Sequence, residues 1–120
     1  MEFKIDTKDN YTQITPHAAH LDASLTAAIT DKCTDLAQNM IIDLRNCVEA
    51  DTTAFPDLVT LHEEMYSADN SLVFTGIGTV VMEQLKEKDT DLLLNIAPTL
   101  VEAIDIISME ILERDLFKEE

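Results

Sequence analysis

The sequence predicts a single α/β domain in which an N-terminal hairpin is followed by alternating strands and helices. Three observations carry this expectation. Short unbroken apolar runs, Met40 to Leu44 above all, have the character of strands covered on both faces. Between them lie stretches whose apolar residues recur every three or four positions, the spacing of one helix face. The resulting order is strand, strand, helix, strand, helix, strand, helix, strand, helix. It demands a mostly parallel, mixed sheet of about five strands with about four helices.

Each element has its own signal. Met1 to Asp6 alternates Phe3 and Ile5 with polar neighbours, Asp9-Asn10 marks a turn, and Tyr11 to Thr15 is the hairpin partner, ended by Pro16. Asp22 or Ser24 can cap a helix whose apolar positions Leu25, Ala28, Ile29, Cys33 and Leu36 carry it to about Gln38. After the Met40–Leu44 strand, Phe55, Leu58, Val59, Met65 and Tyr66 share one helical face. Asp57, Thr60, Glu63, Glu64 and Ser67 fall on the other. Ser71 to Thr75 is a further buried strand, ended by Gly76-Ile77-Gly78. A short helix from about Thr79 to Lys88 has Val80, Val81 and Leu85 as its inner positions. Leu92 to Ile96 is the last expected strand. Pro98 opens a long final helix marked by Leu100, Ile104, Ile107 and Ile111. Residues 113–120 form a charged tail expected to fray. The domain spans residues 1–120, without repeat, linker or low-complexity segment.

Composition narrows the function classes. The chain has 120 residues, 46% of them hydrophobic, enough for a real core. With 24 acidic and 8 basic residues the formal net charge is −16. Such a surface repels phosphate backbones and anionic bilayers, which argues against nucleic acid and membrane as partners. It permits a soluble protein that meets a basic patch on another protein, and equally fits acidity that merely keeps a small domain soluble. No apolar run approaches the ~18 residues of a membrane span, and the N-terminus lacks the pattern of a signal peptide. Cys33 and Cys47 show no CxxC spacing and are expected as reduced thiols of a cytoplasmic chain.

The most informative residues are Asp51-Thr52-Thr53, where a buried strand gives way to a helix. Two hydroxyls there lie beside unpaired helix N–H groups, which favour an anion and suit a regulatory phosphate. An ordinary N-cap explains the same residues. Other chemistry has weaker support. Gly76-Ile77-Gly78 lacks a third glycine and a phosphate lysine, so it makes a poor nucleotide loop. His62-Glu63-Glu64 opens like a zinc-protease helix, but Tyr66 stands where the second histidine belongs. His17 and His20 have no cysteine nearby to complete a metal site. Cys47 with Arg45 close by could be a nucleophile, yet no general base accompanies it. No catalytic residue, metal site or cofactor is therefore expected.

Set in this element order, the chain resembles the STAS domain family of anti-sigma factor antagonists. Leu21-Asp22-Ala23 is similar to the family's L-D-A motif, and Asp51-Thr52-Thr53-Ala54-Phe55 to its D-S-S-G-L phosphorylation loop. Leu72-Val-Phe-Thr-Gly76 looks like the strand and glycine before the third helix. The resemblance implies a non-catalytic binding switch. Its partner would be a serine/threonine kinase-type anti-sigma factor, and phosphorylation of the loop would abolish binding. Carried over by position, the acceptor is Thr52 with Thr53 adjacent, and Asp22, Asp51, Ala54 and Phe55 fall at the partner-binding site. Two departures stand out. Ala54 replaces a glycine, which disfavours φ > 0 and close backbone approach. Pro56 biases Phe55 away from the helical region. The alternative is the same scaffold as a constitutive interaction or oligomerisation domain, a homodimer included, with Thr52 and Thr53 acting only as caps.

Overall fold

The computed structural model describes residues 2–118. Two wholly buried strands, β4 (Met40–Asp43) and β6 (Leu72–Thr75), pair in parallel from Met40↔Leu72 to Asp43↔Thr75. On the other side of β4, β2 (Thr12–Pro16) pairs in parallel, and β1 (Phe3–Thr7) closes the edge antiparallel to β2. The sheet order is β1-β2-β4-β6.

Because side chains alternate across a strand, β4 and β6 serve two cores. Met40, Ile42, Leu72 and Phe74 join Ile14 and the apolar stripes of α1 (Ala23–Leu36), α2 (Phe55–Ser67) and α3 (Thr79–Glu87). Ile41 and Val73 point the other way, onto Ala97 and onto Ala103 and Ile107 of α4 (Leu100–Lys118). Three helices on one face and one on the other follow from parallel crossovers. The mixed α/β domain read from the sequence is the observed one, with four helices.

Several elements differ in detail. The expected strand Leu92 to Ile96 is a 3-10 turn (Thr90–Leu92) followed by a single bridge, Phe74↔Ile96. Leu92 is 77% exposed and only Leu94 of the leucine run is buried. The ladder consists of Phe74 N–H to Asn95 O and Ala97 N–H to Phe74 O, each 2.9 Å. Pro98 then has no N–H with which to extend it. Nor does Pro98 open the last helix. Thr99 does, its Oγ1 accepting from Glu102 N at 3.2 Å.

The tail expected to fray from residue 113 continues as α4 to Lys118. Arg114 pins this stretch, donating to Ser71 Oγ at 3.1 Å and Asn39 Oδ1 at 3.2 Å. Met1, Glu119 and Glu120, included in the expected first strand and tail, lie outside the described residues. Val80 and Tyr66, expected inward, are exposed. Val81 and Leu85, one turn apart, take the inner face of α3, while Leu58, Leu61 and Met65 take that of α2.

A second, very small sheet was not legible in the sequence. Two-residue strands β3 (His20–Leu21) and β5 (Glu49–Ala50) pair in parallel. This pair assembles the candidate site.

Candidate phosphorylation loop and its surroundings

Pairing of Leu21 with Ala50 places the following residues, Asp22 and Asp51, side by side at the starts of two helices. The Asp51 N–H donates to Leu21 O at 2.9 Å, holding the two chains together at that point. Asp22 caps α1 by accepting from Leu25 N at 2.9 Å. Asp51 caps a 3-10 turn (Thr52–Ala54) that leads into α2. Its Oδ1 accepts from Thr53 N at 3.1 Å and from Thr53 Oγ1 at 2.7 Å. The hydroxyl and amide of Thr53 hold the Asp51 carboxyl below its ordinary value of 3.8.

The two threonines are therefore not equivalent. The Thr53 hydroxyl is exposed but committed to Asp51. Thr52 is half-buried, and its hydroxyl makes no hydrogen bond among the described residues. A cap explains Asp51 and Thr53; Thr52 closes the turn through its carbonyl, which accepts from Phe55 N, and its hydroxyl lies outside the cap.

Ala54 and Phe55, expected to touch a partner, are each 1% exposed. They are anchors under the loop. Truncating a phenylalanine buried like Phe55 costs about 3–5 kcal/mol, so Phe55 fixes where the loop sits. It is also helical (φ −62°, ψ −41°) despite preceding Pro56. Pro56 lies in the first turn of α2, where a missing N–H costs nothing, and burial of the ring outweighs the local preference. Ala54 has φ −83° and ψ −14°, so this loop has no need of a glycine there.

On its other side, β5 meets α3. Gln84 accepts from Ala50 N at 2.9 Å and donates to Ala50 O at 2.8 Å, so a side-chain amide replaces a third strand. Beyond it runs a groove of about 420 Å³ lined by Thr52, Pro56, Val59, Lys88, Thr90 and Leu93 among others. The turn into α3 is set by Gly76 at φ +69°, where an added Cβ would lie 2.3 Å from Asp43 Oδ1. Asp43 is buried and accepts from Arg45 N at 3.1 Å and Nε at 2.9 Å.

That pairing removes the basis for a Cys47–Arg45 nucleophile. The Arg45 guanidinium is engaged by Asp43, and the buried Cys47 thiol is pushed up by burial and by the charge of Asp22. Burial pushes Cys33 up to about 12. His62 is half-buried beside Tyr66, with ring centroids 6.5 Å apart. Among the described residues no three His, Cys, Asp or Glu side chains form a metal-binding group. None of the described helices is long and apolar enough to cross a membrane.

No protein-family model matches this sequence, and no curated protein sequence matches it significantly. Solved structures do. An anti-sigma factor antagonist described as putative, from Thermotoga maritima, superposes with TM-score 0.75 at 14% identity, over 88% of this chain and 94% of that one. An anti-sigma factor antagonist (STAS) domain protein from Planctomyces limnophilus gives 0.72 at 15%, over 88% and 97%. RsbS from Moorella thermoacetica gives 0.68 at 21%, over 90% and 96%. The chain has the STAS-domain fold. In this chain the residues singled out in the sequence, Asp51-Thr52-Thr53-Ala54-Phe55, form the capped turn between β5 and α2.

Proposed function

We propose that this chain is a non-catalytic, cytoplasmic signalling module that binds a kinase-type anti-sigma factor and is switched by phosphorylation of Thr52. One observation carries the reading. Of the two loop hydroxyls, that of Thr53 is spoken for by Asp51, while that of Thr52 is free of hydrogen bonds among the described residues. The partner-facing surface consists of Asp22, Asp51, Thr52, Thr53 and the exposed ring of Pro56. The likeness in fold to anti-sigma factor antagonists supports it.

The switch follows from charge. A phosphate adds about −1.5 to −2 charges. The start of α2 returns about 0.3–1 kcal/mol of favourable dipole interaction, so the modified loop still folds. A partner docked on it would instead face a hydrated dianion on a chain already at −16. Thr52→Glu should weaken partner binding tenfold or more in calorimetric titration, about 1.4 kcal/mol. Unchanged affinity would remove the switch.

A second reading, an oligomerisation domain without a switch, is favoured by α4. Ala103 and Ile107 face the sheet, while Val101, Met109, Leu112, Leu116 and Phe117 are exposed on the outside. Exposed acids such as Asp105 and Glu113 interrupt this outer side, but an apolar patch of this extent marks an interaction surface. A dimer of constant mass across concentrations in light scattering, together with indifference to Thr52→Glu, would select this reading.

A further inference from the structure

The groove beside the loop holds a cation whose place is set by the same contacts that hold the loop. Gln84 is bonded twice to the backbone of Ala50. Lys88, the residue that caps the C-terminal end of α3, follows Gln84 by four residues, about 6 Å further along the helix axis. Thr52 follows Ala50 by two residues, a step of about 6–7 Å for extended chain. Lys88 and Thr52 both line one groove, with Phe55, Pro56, Val59 and Leu93 as its apolar part. Lys88 is exposed and forms no ion pair among the described residues.

We propose that Lys88 is the counter-charge for a phosphate on Thr52, so that modification spans the groove and covers its apolar wall. The proposal rests on Thr52 being the acceptor. It adds to the switch a second arm: besides placing a dianion before the partner, the phosphate closes surface that the unmodified chain leaves open. Thr53 could not do this, because its hydroxyl is turned to Asp51. The acids close in sequence to Thr52 and Lys88 are Glu49, Asp51, Asp57, Glu87, Asp89 and Asp91, with Asp22 beside Asp51 across the small sheet. Their like charge opposes the phosphate, none of them lines the groove, and Lys88 is the cation that does.

The test uses the full chain with phosphothreonine encoded at position 52, which needs no kinase. Phosphorus NMR across pH reads the second ionisation of the phosphate, ordinarily near 6. It is measured in the parent, in Lys88→Gln and in Lys86→Gln. The last removes an equal charge from α3 away from the groove, and the acids are the same in all three. The expected result is an ionisation at least about half a pH unit higher in Lys88→Gln than in the parent, roughly a threefold change in the constant, with Lys86→Gln near the parent. Equal values for the parent and Lys88→Gln, or equal shifts in both variants, would overturn the proposal. The acceptor assignment fails separately, if the kinase-type partner places its phosphate elsewhere.

Discussion

Substituting Gly76 tests how the turn into α3 is built. In Gly76→Ala the new Cβ meets Asp43 Oδ1 at 2.3 Å, Asp43 Cγ at 3.2 Å and the Arg45 amide nitrogen at 3.3 Å. The backbone is at φ +69°, which costs an L-residue about 1–2 kcal/mol. The clash is with a carboxylate that cannot swing away freely, because it is buried and accepts from the Arg45 amide and guanidinium. Losing one such charge-assisted bond costs about 1.5–3 kcal/mol. The sum is on the order of 2.5–5 kcal/mol, a large share of the ~5–15 kcal/mol that holds a domain together. Gly78→Ala is the matched control, since nothing lies within 4 Å of its added Cβ. Urea unfolding at constant m-value should show the large loss for Gly76→Ala and less than about 1 kcal/mol for Gly78→Ala. Equal losses, or a Gly76→Ala loss under about 1 kcal/mol, would refute the steric account.

Three further predictions follow from the site. Gln84→Leu leaves the N–H and C=O of Ala50 unpaired, at about 1–3 kcal/mol per group, so the Ala50 amide should exchange with solvent at least tenfold faster. Unchanged exchange would mean that the amide fork does not hold the loop. Asp51 titrates below 3.8 chiefly through the Thr53 hydroxyl, so Thr53→Val should raise its carbon-detected pKa toward that value. The sign follows: a depressed folded pKa stabilises the loop above the unfolded value, and that stability is lost as pH falls through the folded one. The two chains should therefore converge in strong acid and differ at neutral pH. Cys33, pushed up to about 12, should react with a disulfide reagent at pH 8 far more slowly than in urea, and comparable rates would contradict its burial.

The central strands, the helices between them and the hairpin were legible because each has a sustained period or an unbroken apolar run. Leu92 to Ile96 misled for a physical reason. A run of leucines looks buried, but with Leu92 and Leu93 exposed and Pro98 just beyond, only one bridge forms. The β3–β5 pair left no trace because two residues carry no periodicity, yet it alone explains why Asp22 and Asp51 are neighbours. The loop's position was readable from Asp51-Thr52-Thr53. The division of labour within it was not, since which hydroxyl serves the cap depends on a turn geometry that sequence does not display. The motif resemblance put Ala54 and Phe55 at the partner-binding site, whereas the apolar character of both, and the place of Phe55 on the apolar stripe of α2, was the signal for their burial. Gln84 on α3 and Lys88 at its C-terminal end, two polar residues, gave no sign of belonging to the site.

The mass of the chain after incubation with the proposed kinase-type anti-sigma factor and ATP addresses the free Thr52 hydroxyl most directly. A single added phosphate, mapped by fragmentation to Thr52, retained in Thr53→Ala and lost in Thr52→Ala, is the predicted outcome. A phosphate that persists in Thr52→Ala would contradict it.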